Sequence, residues 1–60
     1  MKIGEFIDMC YNDSLLIVKI YNDGVLVFEG AGDSVPAYYS NMEFSTFDVP
    51  TELYTITFNI

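Results

Sequence analysis

The chain opens on a helical pattern. Ile3, Phe6, Ile7 and Cys10 recur at i, i+3, i+4 and i+7, so a helix there gathers them on one apolar stripe, with Glu5 and Asp8 on the other face. Glu5, near the helix start, suits the positive end of the helix dipole. Gly4 weakens such a helix in isolation, which predicts that it leans on a sheet. Asn12-Asp13-Ser14 is expected to end it.

The period then changes. LLIVKIY and VLVFEG are rich in β-branched residues and predict two strands. Between them stands Asn22-Asp23-Gly24. A three-residue loop with Gly24 left-handed sets Tyr21 opposite Val25, Ile20 opposite Leu26 and Val18 opposite Phe28. That register gathers Leu16, Val18, Ile20, Leu26 and Phe28 on one face, and Ile17, Lys19, Tyr21, Val25, Val27 and Glu29 on the other. A two-residue loop slips the pairing by one and mixes the faces, so the three-residue loop is expected. A calcium loop is the functional alternative, but Ile20 and Tyr21 stand where an EF-hand needs oxygen ligands. The run is read as a turn.

In GAGDSVPAYYSN, Ser34 is expected to cap a short helical segment and Pro36 to sit in its first turn. Asp33, beside Ser34, is read as helix capping too. MEFSTFDV reads as a strand whose face changes: Met42 and Phe44 lie on one side, Phe47 and Val49 on the other, with a bulge near Ser45-Thr46. Pro50-Thr51-Glu52 is expected to turn the chain. LYTITFNI alternates cleanly, Tyr54, Ile56, Phe58 and Ile60 against Thr55, Thr57 and Asn59.

These elements predict one domain over residues 1–60 of two-layer α+β architecture: an N-terminal amphipathic helix packed on a four-stranded, mainly antiparallel sheet of two hairpins, with a short helical turn between them. The helix is expected over the face carrying Val18, Ile20, Leu26, Phe28, Ile56 and Phe58. The other face keeps Ile17, Tyr21, Val25 and Val27 together, an exposed apolar patch of the kind that marks interfaces.

Composition narrows the functions available. A chain of 60 residues is marginal as a monomer, and small scaffolds need a staple. One cysteine permits no internal disulfide, and no histidine leaves an improbable zinc ligand set. Stability must then come from the apolar content, 52% of residues, or from association. The net charge of −7 excludes binding bare nucleic acid and argues against docking to anionic membranes; it is compatible with solubility, with cation binding or with a basic partner protein. Glu5 and Asp8 interrupt any signal-peptide core, and no apolar run reaches the roughly 18 residues of a bilayer span. A cytoplasmic location with a reduced thiol is expected.

Catalytic readings fare badly. The commonest general base is missing, and Cys10 sits on the apolar stripe without a histidine partner. Gly30-Ala31-Gly32 lacks the third glycine, the lysine and the long helix of a phosphate loop. No enzyme activity, metal or cofactor is expected. The candidate chemistry is therefore surface chemistry. Asp23, Glu29, Asp33, Tyr38 and Tyr39 are the expected partner-binding residues, with Glu5 and Asp8 as a second cluster. Carboxylates arrayed as phosphates are can compete for a nucleic-acid groove as a DNA mimic, and tyrosine suits interfaces.

The segments IGEFIDMC, IYNDGVLVFEG, DSVPAYY and LYTITFNI give the chain a layout that resembles small acidic proteins of phages and mobile elements of Gram-positive bacteria. The resemblance covers most of the chain and rests on pattern. It implies a host-directed accessory role, among which inhibition of restriction or CRISPR nucleases is one. The alternative is a structural module that associates with itself, as a homodimer, through a sheet edge or the second sheet face.

Overall fold

The computed structural model describes residues 1–10, 14–49 and 54–60. The expected turn at Pro50-Thr51-Glu52, and Asn12-Asp13 of the expected helix stop, lie outside them. Helix α1 spans Ile3–Asp8, followed by strands β1 (Ile17–Asn22) and β2 (Val25–Ala31). A 3-10 turn (Gly32–Ser34), helix α2 (Ala37–Ser40), and strands β3 (Thr46–Asp48) and β4 (Thr55–Asn59) complete the chain.

The apolar stripe of α1 folds inward as its spacing requires. Ile3 and Ile7 join Leu16, Val18, Ile20, Ile56 and Phe58 in the buried core, with Phe6 and Cys10 packed against it. Val18, Ile20, Ile3 and Phe58 are fully enclosed, and each such side chain contributes about 1.5–3 kcal/mol by leaving water. The sheet order is β2-β1-β4-β3. Both predicted hairpins form, and between them β1 and β4 run parallel, so the sheet is mixed. In that parallel pair Val18 lies beside Ile56 and Ile20 beside Phe58 on the covered face.

The first hairpin corrects the expected loop and register. Its loop is Asp23-Gly24 alone, with Asn22 opposite Val25 and Tyr21 opposite Leu26. Both loop residues have positive φ, 53° and 79°, the conformation whose twist matches that of the flanking strands. The mixing of faces that a two-residue loop implies is cancelled by a bulge: Val27 is the extra residue, and Ile20 then faces Phe28. Val18 pairs with Gly30 rather than with Phe28, and Lys19 pairs with Glu29. Leu26 consequently leaves the core face for the open one, 43% exposed. Val25 shares the side of Asn22 and does not join the open-face patch.

The second hairpin differs as well. Strand β3 holds only Thr46–Asp48. Residues 42 and 43 turn instead to the N-terminus, where the Ile3 N–H donates to the Met42 carbonyl at 2.9 Å and the backbones of Lys2 and Glu43 form an isolated antiparallel β-bridge. At the bend, the Ser45 N–H and hydroxyl both donate to the Asn59 carbonyl. That bend reverses the alternation, so Phe44 and Phe47 reach the same cluster rather than opposite faces. Phe47 faces Phe58 in register, and Phe44 lies 4.9 Å from Phe58. Phe6 of α1 completes the group at 5.4 Å from Phe58 and 4.9 Å from Phe47. Tyr54 departs from the expected stripe because its φ is 57°, which turns it outward.

Candidate partner-binding surface

The helical side of the molecule is where carboxylates from distant segments line one cleft. β2 ends at Ala31, and the Gly32 N–H donates to the Leu16 carbonyl at 2.7 Å. This anchors the 3-10 turn against the start of β1 and leaves Asp33 exposed. Val35 is extended, with ψ of 124°, as a residue before proline prefers. That extended step separates Ser34 from α2. The cap expected of Ser34 and Asp33 therefore does not form: the Ser34 hydroxyl donates to the Asp33 carboxylate at 3.4 Å. Pro36 takes the cap position, its carbonyl accepting from the Tyr39 and Ser40 N–H groups.

α2 then meets α1 closely. A Cβ built on Gly4 would stand 3.0 Å from the Ser40 carbonyl oxygen and 3.1 Å from its Cβ. Only a glycine allows this approach without displacement. Between the two helices and the 3-10 turn lies an open cleft of about 290 Å³, lined by Gly4, Ile7, Asp8, Gly32, Asp33, Val35 and Ser40. Asp8 and Asp33 thus share one concavity.

The seven candidate residues fall in four places. Asp8 and Asp33 line the cleft, with Glu5 one helical turn from Asp8. Glu5 also has a local task, its carboxylate accepting the Lys2 backbone N–H at 2.8 Å and capping α1. Tyr38 and Tyr39 stand on α2, their rings edge-to-face at 5.1 Å. Tyr39 is half-buried and packs towards Phe28 at 6.4 Å, whereas Tyr38 is 68% exposed. Glu29 belongs to the opposite, open sheet face, where it meets Lys19 at 3.9 Å. Asp23 sits at the tip of the first hairpin. Sequence reasoning named Asp8 and Asp33 separately and missed that they share a cleft. It also missed Gly4, Val35 and Ser40 as walls, for which a glycine at position 4 inside the predicted helix was the one available signal.

The open sheet face is mixed in character. Ile17 and Leu26 are exposed beside half-buried Tyr21, Thr57 and Asn59. Cys10 is half-buried, its thiol donating to the Phe6 carbonyl at 3.6 Å. Among the described residues no group of three His, Cys, Asp or Glu side chains is placed to hold a metal ion, and no helix is long and apolar enough to cross a membrane. Comparison with protein-family models, with curated proteins and with solved structures gave no match.

Proposed function

We propose that this chain is a non-catalytic, cytoplasmic binding protein of phage or mobile-element origin that occludes a basic site on another protein, a nucleic-acid-binding nuclease of host defence. The observation that carries the reading is the convergence of Asp8 and Asp33 in one cleft, with Glu5 on the same helix and the exposed Tyr38 on the helix forming the opposite wall. The chain has only two lysines and no arginine to offset its carboxylates, and Lys19 lies on the other sheet face, against Glu29. A concavity lined by two carboxylates suits a cationic group, and attraction of that kind weakens as salt rises. The test is DNA cleavage by a panel of purified restriction and RNA-guided nucleases, with and without the chain, at low and high salt. Salt-sensitive inhibition of at least one enzyme is expected, lost in Asp8→Lys/Asp33→Lys with the circular dichroism spectrum retained. No inhibition, or inhibition indifferent to both changes, refutes the reading.

A second reading, self-association through the open sheet face, is favoured by the exposure of Ile17 and Leu26 there. Sedimentation across a dilution series tests it, and a monomer at every concentration removes it.

A further inference from the structure

The free edge of β2 is a second place where partner chemistry is written into the fold. Among the described residues β2 pairs with β1 alone and ends the sheet, as β3 does on the far side. The two edges are unequal. β3 is three residues long, a short edge that invites little pairing. β2 is seven residues long and contains neither lysine nor proline, the residues that commonly blunt an edge. Its single irregularity, at Val27, lies towards the hairpin tip and leaves residues 28–31 in regular register. Alternate residues of such a strand direct N–H and C=O groups outward, and these are matched by one kind of occupant, another extended chain.

Charge identifies which extended chain. Asp23 stands at one end of β2 and Asp33 just beyond the other, with Glu29 between them and already facing Lys19. A second copy pairing antiparallel about Phe28 would set Asp23 of each protomer towards Asp33 of the other, at both ends, and like charges facing across strands are repulsive. A segment with lysine or arginine at its ends meets the same carboxylates favourably. We propose that β2 accepts an extended basic segment of the partner as a fifth strand of the sheet. This rests on the reading of the chain as a binder of basic proteins and specifies how part of that contact is made.

The probe is a ten-residue peptide of alternating lysine and valine, titrated into the ¹⁵N-labelled full chain. Amide shifts and slowed hydrogen exchange are expected within Val25–Ala31. The same peptide N-methylated at every residue keeps its charge, lacks N–H donors and is expected not to bind. Asp23→Asn/Asp33→Asn is expected to weaken binding at least about tenfold. Strand addition is overturned by any of three results: no binding, equal binding of both peptides, or shifts confined to the α1–α2 cleft. Nuclease inhibition together with a failed peptide titration would leave occlusion standing and remove the fifth strand. Peptide binding on β2 with no nuclease inhibited would do the reverse.

Discussion

Gly4→Ala sets two effects of opposite sign against each other. Alanine in place of glycine favours a helix interior by about 1 kcal/mol, and less in a first turn such as this one. Against that, the new methyl would lie 3.0 Å from the Ser40 carbonyl oxygen and 3.1 Å from the Ser40 Cβ. Ordinary contacts are several tenths of an ångström longer, and the closest obstacle is backbone, so α2 must shift as a unit. Overpacking of this kind costs about 1–3 kcal/mol. The net expectation is a loss of about 1 kcal/mol in urea unfolding followed by tyrosine fluorescence, with amide shifts spreading to residues 37–41. Ser40→Gly removes the Cβ contact but keeps the carbonyl, so Gly4→Ala/Ser40→Gly recovers less than half of the loss once the cost of Ser40→Gly alone is subtracted. A stabilised or unchanged Gly4→Ala protein would refute the close approach, and with it the shape of the cleft.

Two further changes probe the sheet. Gly24→Ala meets open space, with nothing within 4 Å of its Cβ, yet φ at that position is 79°; a loss of about 1–2 kcal/mol is expected in denaturant unfolding from backbone conformation alone, and an unchanged midpoint would count against a left-handed turn. Phe58→Ala empties the centre of the aromatic cluster and is expected to cost about 3–5 kcal/mol. A domain of this size has roughly 3–9 kcal/mol in total, so near-ultraviolet circular dichroism should show most of the variant unfolded at room temperature; a folded variant would show that the cluster contributes little.

The helix and the core of β4 were legible because each carries one clear period: Ile3, Phe6, Ile7 and Cys10 at helical spacing, Ile56 and Phe58 at strand spacing. The hairpin register was not, because Val25-Leu26-Val27-Phe28 is apolar throughout. Alternation says nothing about phase when both faces are apolar, and the bulge at Val27 left no mark. Nor does alternation name a neighbour, so the parallel contact of β1 with β4 was out of reach. The outward turn of Tyr54 follows from a backbone conformation its residue type does not announce. For the candidate site, the residue types were readable and their grouping was not. Asp8 and Asp33 share a cleft only because the connection from β2 to β3 lays α2 against α1, whereas Glu29, equally acidic, is carried by strand parity to the far side.

The parallel contact of β1 with β4 also bears on how the protein is made. β4 lies between β1 and β3, so the sheet has no centre until synthesis has passed residue 59. The hairpin of β1 and β2, complete much earlier, must wait on the ribosome with Val18 and Ile20 still short of their neighbours. Folding should therefore be a single late event governed by pairing between sequence-distant strands, slow for so small a domain. A nascent chain arrested before residue 55 should remain open to protease.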